Sequence, residues 1–401
     1  MLIVGAGLAG LTVAETLRAE GYAGAVTLLG EEAHLPYHRP PLSKGYLLGE
    51  TQEVQLTMRA PELLARKNIA LEIGARVTAI DRSAREVTLA DGSRRAYAGL
   101  ALCTGSRARQ LTLAGADAGG VFCLRTLADA KAILAALPSA QNVVVIGGGF
   151  IGLEIAAAAR KKGKQVTVLE ALARLMARVV APLISQFYFD LHRANGVELV
   201  LGAMISELVV SGERIAAVRT GDGREFPADL VIVGIGIVPN AEIALAAGIE
   251  CQGGIVVDAC SRTSDAAIVA AGDCTARRLD DGSLRRLEYV HNASEQAQSA
   301  AAALLGKARE FSATPWFWSE QYDVKLQMVG LNAGFDEMVT RGNPAERKFS
   351  AFYFRQGKLI AADSVNHPGE HMSARKLLDK GISPLPKHVA DIGIALNSML
   401  G

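Results

Sequence analysis

Leu2-Ile3-Val4-Gly5-Ala6-Gly7-Leu8-Ala9-Gly10 opens the chain, and a helical pattern from Leu11 to Glu20 follows it. A short β-branched apolar run, a glycine turn and a helix, in that order, predict a strand handing over to a helix across a tight turn. Further out, Ala25 to Leu29 reads as a second strand ending at Gly30-Glu31-Glu32. Strand, turn, helix, strand and acid is the order a dinucleotide-binding unit requires. Gly5 lets the chain turn, and Gly7 lets backbone N–H groups approach a pyrophosphate at the positive end of the helix. Gly10 permits close helix–strand packing, and Glu31 is placed to accept hydrogen bonds from a ribose diol.

The same grammar recurs from Asn142. Val143-Val144-Val145-Ile146 leads into Gly147-Gly148-Gly149-Phe150-Ile151-Gly152, a helix runs through Lys162, and the strand Gln165 to Leu169 ends at Glu170. One glycine-rich turn is weak evidence, but two of them, each complete to its acid, imply two dinucleotides: a bound flavin and a nicotinamide substrate. A carboxylate at Glu170 accepts from a 2′-hydroxyl and repels a 2′-phosphate, which favours NADH over NADPH, with Arg174 and Arg178 near enough to temper the preference. Later, Ala267 to Ala271 reads as a buried strand closing on Gly272-Asp273, an acid suited to a ribityl hydroxyl or a pyrophosphate water. Leu100 to Gly105 and Leu230 to Gly236 are further strands that end in small-residue turns.

These elements predict an α/β protein in which a second nucleotide domain, residues 113–236, is inserted into a first made of 1–112 and 237–310. Residues 311–401 form a third, α+β unit. Its expected strands are Val324 to Val329, Asp336 to Arg341, Phe349 to Phe354 and Lys358 to Val365, followed by helices at Ala374–Lys380 and Val389–Met399. Such a cap is expected to cover the flavin and shape a docking face.

Composition narrows the function classes. The 401 residues carry 42 Lys+Arg against 41 Asp+Glu, a formal net charge of +1, so nothing draws the whole chain to nucleic acid or anionic lipid. No apolar run reaches the length of a membrane span, and the apolar N-terminus lacks the basic flank of a signal peptide. Cys103, Cys123, Cys251, Cys260 and Cys274 contain no C-x-x-C pair and offer neither a disulfide framework nor a zinc or iron–sulfur site. His34/His38 and His367/His371 each bracket a proline, which argues against helical metal chelation. A soluble, cytoplasmic, metal-free monomer is expected.

Two runs are more specific than the glycine turns, Arg39-Pro40-Pro41-Leu42-Ser43-Lys44 and Pro315-Trp316-Phe317-Trp318-Ser319-Glu320-Gln321-Tyr322, and they stand beside Gly147-Gly148-Gly149-Phe150-Ile151-Gly152-Leu153-Glu154 and Ala271-Gly272-Asp273-Cys274. With them the chain resembles, end to end, the NADH-dependent ferredoxin reductases of the two-dinucleotide flavoprotein superfamily, in the putidaredoxin-reductase-like group. The resemblance implies two Rossmann-like domains in a glutathione-reductase-like FAD/NAD arrangement, plus the C-terminal α+β domain. It implies FAD held by Ala9, Glu31, Arg39, Lys44, Val77, Arg125, Asp273 and Val290, with Trp318 packed near the flavin. It further implies NADH bound at Gly149 through Gly152, Glu154, Glu170 and Arg178, with Gly236 beside the nicotinamide.

Disulfide reductases of this superfamily carry a redox-active Cys-x4-Cys after the first nucleotide unit, whereas Glu32 through Glu50 here hold no cysteine. Electrons on the flavin are therefore expected to leave from the isoalloxazine itself, one at a time, to a 2Fe–2S ferredoxin. That ferredoxin is expected to supply a haem-thiolate monooxygenase or a ring-hydroxylating dioxygenase. Lys44 and Glu154 are expected as a charged pair beside the flavin N5. Basic clusters at Arg277-Arg278, Arg285-Arg286, Lys307/Arg309 and Arg341/Arg347-Lys348 are candidates for receiving an acidic partner. The same nucleotide sites would also serve a rubredoxin reductase or an NADH oxidase. A flavoprotein of the apoptosis-inducing-factor kind, which binds partners including nucleic acid, is the reading from another class, and the near-zero net charge weighs against it.

Overall fold

The apolar run Leu2–Val4 is buried on both faces and forms the middle strand of a five-stranded parallel sheet. Its order is Ile268–Ala270, Leu100–Leu102, Leu2–Val4, Val26–Leu29, Ile69–Glu72. The helices Leu8–Ala19 and Val290–Leu304 cover this sheet and share its core through Val13, Leu17, Ala297 and Ala301. A computed structural model provides these coordinates and describes residues 1–400. The sheet belongs to a first compact unit, Met1–His38, Glu53–Arg107 and Ile237–Pro315.

The second unit comprises Arg39–Gln52, Ala108–Gly236 and Trp316–Gly401. Asn142–Ile146 is the middle strand of its parallel sheet, ordered Val197–Leu201, Gln165–Glu170, Asn142–Ile146, Leu230–Val233, Val121–Cys123. The two parallel sheets have the same design. In each, a central strand enters the glycine turn, the next strand lies on one side, and a return strand lies on the other. A three-stranded antiparallel meander, Val77–Ala96 in one and Ile205–Pro227 in the other, precedes each return strand.

The C-terminal part of the second unit is a five-stranded antiparallel sheet in the order Trp316–Gln321, Val324–Gly330, Lys358–Val365, Lys348–Arg355, Glu337–Asn343. Phe349, Phe352, Tyr353 and Phe354 are fully buried in it. The four expected strands are present. The Trp316–Gln321 run is a fifth strand, which its mixed polar and aromatic pattern did not announce. The helix expected from Ala374 starts at Pro368, because a proline at the first helical position has no N–H to lose.

No single helix spans Val389–Met399. A short helix Pro386–Ala390 ends at Asp391, whose backbone is extended, and a 3-10 turn follows at Leu396–Leu400. The cause is Arg341. Its guanidinium, buried and paired with Glu370 at 2.6 Å, takes the carbonyls of Val389, Asp391, Ile392 and Ile394, which a continuous helix would keep for itself. Arg341 is therefore a structural cation and not part of a docking face.

Candidate functional site

The glycine turns divide their labour in the same way in both units. Gly5 and Gly147 have φ of +105° and +107°, and a Cβ there would stand 2.1 Å from the Cys103 carbonyl oxygen and 2.4 Å from that of Gly234. Gly10 and Gly152 pack against the carbonyls of Gly5 and Gly147, at 1.9 and 2.2 Å from an added Cβ. Those four are glycine because the protein backbone leaves no room. Gly7 and Gly149 are different: each precedes its helix with an ordinary negative φ, and no protein atom lies within 4 Å of an added Cβ. An open concavity at a helix N-terminus, bare of a side chain without a packing reason, fits a pyrophosphate approached by backbone N–H groups.

Around the first turn, Ala9 sits against Gly272, where an added Cβ would lie 3.1 Å away, so the turn and the Gly272-Asp273 loop meet. Ser106 Oγ donates to Asp273 Oδ2 at 3.2 Å. Gln296, on the Val290–Leu304 helix, accepts from Gly272 N at 2.8 Å and so fixes the loop to that helix. Val290 begins the helix and its apolar side chain is exposed. Glu31 is exposed and 3.4 Å from Arg76, while Val77 is buried at the start of the meander.

Around the second turn, Glu170 Oε2 accepts from Gly148 N at 2.6 Å and Oε1 from Leu172 N at 2.8 Å, which holds the carboxylate at the rim of the turn. Arg174 is committed to the carbonyls of Val180 and Ala177, at 2.6 and 2.7 Å, whereas Arg178 is exposed. Ile151 is an exposed apolar side chain one residue into the helix, and Gly236 is exposed with φ of +104°. Arg39 Nη1 donates to the Arg125 carbonyl at 2.8 Å, so these two candidates are neighbours in the second unit.

Lys44 and Glu154 also come together. Lys44 Nζ is 2.7 Å from Glu154 Oε2, and Pro40 O accepts from the same ammonium at 3.3 Å. Ser43 Oγ donates to Glu154 Oε2 and Ser319 Oγ to Oε1, the latter at 2.6 Å. Glu154, whose side chain is 1 % exposed, thus accepts from one ammonium and two hydroxyls. Trp318, one residue before Ser319, turns to the other face of its strand and stacks on Trp316 with ring centroids 5.5 Å apart. With Lys44, Glu154 and Tyr322 it lines a cleft of about 410 Å³. His192, Gln321 and Ser319 were not singled out as functional. Gln321 and Ser319 carried a signal, as polar residues inside an aromatic run, but His192 on an amphipathic helix carried none.

The remaining basic clusters are largely occupied: Arg278 pairs with Glu250, Arg286 with Glu288, Lys307 with Glu20 and Arg347 with Asp323. Among the described residues no group of His, Cys, Asp and Glu is arranged to hold a metal ion, and no helix is long and apolar enough to cross a membrane.

Comparison with known proteins gives matches over the whole chain. The family model described as pyridine nucleotide-disulphide oxidoreductase matches residues 1–297, and that described as reductase C-terminal matches residues 316–400. Putidaredoxin reductase of Pseudomonas putida is 42% identical over 407 aligned positions, covering 100% of this chain and 96% of the relative. Among solved structures, the ferredoxin reductase of the CYP199A2 system from Rhodopseudomonas palustris superposes with a TM-score of 0.97 at 44% identity, over 100% of this chain and 99% of that one. The reductase in the covalent putidaredoxin reductase–putidaredoxin complex superposes with a TM-score of 0.96 at 42% identity, over 100% and 97%.

Proposed function

Because this chain belongs to the pyridine nucleotide-disulphide oxidoreductase family, in its putidaredoxin-reductase-like group, we propose that it passes electrons from NADH through FAD to a 2Fe–2S ferredoxin serving a haem-thiolate monooxygenase or ring-hydroxylating dioxygenase. The observation that carries this reading is the end-to-end match, C-terminal unit included, to reductases named for ferredoxin partners. The bound flavin supplies the exchange between hydride and single-electron chemistry.

The residues of this chain supply binding, orientation and charge. We assign the flavin pyrophosphate to the Gly5–Gly10 turn, with Asp273 and the start of the Val290–Leu304 helix beside it, and Arg39 and Arg125 as further contacts. The nicotinamide dinucleotide is assigned to the Gly147–Gly152 turn. Glu170 at the rim of that turn supports NADH over NADPH, since its carboxylate would repel a 2′-phosphate. The commitment of Arg174 to backbone carbonyls supports this further, because it removes one cation that would welcome the phosphate.

Lys44 is assigned to stabilise negative charge on the reduced ring, and Glu154 to hold Lys44 and orient the nicotinamide carboxamide. Trp318 packs as an aromatic wall to the same cleft. The test is NADH-driven reduction of cytochrome c by the yellow holoprotein, with and without an added 2Fe–2S ferredoxin. A large, saturable stimulation is expected. If NADH bleaches the flavin and ferredoxin adds nothing, while a rubredoxin or oxygen accepts the electrons, the partner assignment is wrong.

A further inference from the structure

A buried line of side chains runs from the wall of the cleft to Glu154. The Tyr322 hydroxyl stands 3.4 Å from His192 Nδ1, and His192 Nε2 stands 2.8 Å from Gln321 Oε1. Gln321 Nε2 donates to Ser319 Oγ at 3.1 Å, and Ser319 Oγ donates to Glu154 Oε1 at 2.6 Å. His192, Ser319 and Gln321 are 0, 0 and 1 % exposed, so bulk water does not compete for these bonds.

The direction of the line is fixed by proton counting. A serine hydroxyl has one proton. When Gln321 gives its amide N–H to Ser319 Oγ, that proton is available only to Glu154. If the amide were reversed, Ser319 would donate to Gln321 Oε1, and Glu154 Oε1 would lose its donor. The orientation of the amide depends in turn on His192. An imidazole protonated on Nε2 needs the amide oxygen in front of it, and one protonated on Nδ1 needs the amide nitrogen. Burial pushes His192 down to about 4, so at neutral pH the ring carries a single proton and the choice of tautomer is real. The Glu154 end decides it: Ser319 donates to Glu154 Oε1, so the Gln321 amide gives its N–H to Ser319 and turns its oxygen to His192, which calls for the ring proton on Nε2 and leaves Nδ1 to accept from the Tyr322 hydroxyl.

We propose that Ser319, Gln321 and His192 are positioning residues that deliver one hydrogen bond of fixed direction to Glu154, with Tyr322 closing the line at the cleft wall. This rests on the reading that the Lys44–Glu154 pair serves the nucleotide reaction. His192, Gln321 and Ser319 are buried and act only through Glu154. Their effect is on the rotamer and charge placement of Glu154, and through Glu154 on Lys44.

The experiment uses FAD-loaded protein labelled with ¹⁵N-histidine. From about pH 6 to about pH 8, His192 should give the signature of a neutral ring protonated on Nε2. Tyr322→Phe should leave that tautomer in place, whereas Ser319→Ala, which frees the Gln321 amide to reverse, should let the Nδ1–H tautomer appear. In stopped-flow mixing with NADH, Ser319→Ala should slow flavin reduction about tenfold, the loss of one charge-assisted hydrogen bond, Gln321→Met, which leaves Ser319 its proton for Glu154, should slow it less, and Ser319→Thr should restore the rate. An Nδ1–H tautomer in the unaltered protein overturns the proposal. So does wild-type flavin reduction in Ser319→Ala when Glu154→Gln is slow. If Glu154→Gln itself reduces at the wild-type rate, the role assigned to the Lys44–Glu154 pair fails, and the positioning proposal falls with it.

Discussion

Lys44 Nζ and Glu154 Oε2 are 2.7 Å apart although 110 residues separate them in sequence, and only the lysine side of the pair meets solvent, at 16 % exposure against 1 %. The asymmetry makes the two single substitutions unequal. Removing the lysine strands a buried carboxylate on two hydroxyl donors, whereas removing the carboxylate leaves an ammonium that can turn toward the cleft. Lys44→Ala should therefore destabilise the protein by about 3 kcal/mol, the low end for a broken buried pair because Ser43 and Ser319 still donate, and Glu154→Gln by roughly 1 kcal/mol. Denaturant midpoints on the holoprotein measure both. In rapid mixing, Lys44→Ala should slow flavin reduction by NADH while the visible spectrum still shows bound FAD.

The glycine turns yield a contrast that separates folding from binding. Gly149→Ala places a methyl where no protein atom lies within 4 Å, at an ordinary negative φ, so stability should stay within about 1 kcal/mol of wild type. The same methyl stands where the pyrophosphate is assigned, and NADH binding should weaken at least about tenfold. Gly147→Ala should do the opposite. Its φ of +107° and the Gly234 carbonyl oxygen 2.4 Å from the new atom predict a loss of stability of more than about 2 kcal/mol. Thermal melting and NADH titration of the two variants check the pair. Equal instability in both would argue that Gly149 is a packing residue.

Both glycine turns were legible because strand, turn, helix and acid are contiguous and each step has a local physical cause. The resemblance in the runs 39–44, 147–154 and 315–322 brought Lys44, Glu154 and Trp318 within reach. What stayed hidden is what only the folded chain brings together. His192 reaches Gln321 across 129 residues, and no periodicity marks a histidine on an amphipathic helix as the partner of a strand amide. Val389–Met399 reads as a helix until Arg341, arriving from a strand about fifty residues earlier, claims its carbonyls. In the same way, Arg341 among nearby basic residues reads as surface charge until Glu370 is seen beside it.

Glu170 bears on the choice of nicotinamide. Its carboxylate is anchored by Gly148 N and Leu172 N, so it cannot swing aside to admit a 2′-phosphate without giving up two backbone hydrogen bonds. NADH should be preferred over NADPH by at least about two orders of magnitude in kcat/KM, a few kcal/mol of charge repulsion and lost ribose bonding. Glu170→Ala should narrow that ratio mainly by weakening NADH, and Glu170→Arg should narrow it further by favouring the phosphate. Steady-state kinetics with both nucleotides decide it. An NADPH preference in the unaltered protein would remove the role given to Glu170.

Asp363 lies wholly buried in the C-terminal sheet, and Tyr353 donates to its Oδ2 at 2.6 Å. Burial raises this carboxyl to about 7, against the ordinary lowering by the tyrosine hydrogen bond. Since the folded state holds the proton to higher pH than the unfolded state, the group stabilises the fold at mildly acid pH, and that contribution is lost as pH rises toward about 7. His192 and His371, both lowered to about 4 by burial, act in the other direction, with stability lost as pH falls below their unfolded value. The wild-type curve alone is therefore a sum of opposing slopes, and the informative quantity is a difference. Asp363→Asn keeps an acceptor for Tyr353 and cannot ionise. Its stability relative to wild type should improve by about 3 kcal/mol between about pH 5 and about pH 8, because only the wild type must bury a charge or unfold to lose a proton. Parallel urea unfolding series at the two pH values measure this. A constant gap would mean that Asp363 has the same charge across the interval and that its proton is not linked to folding there.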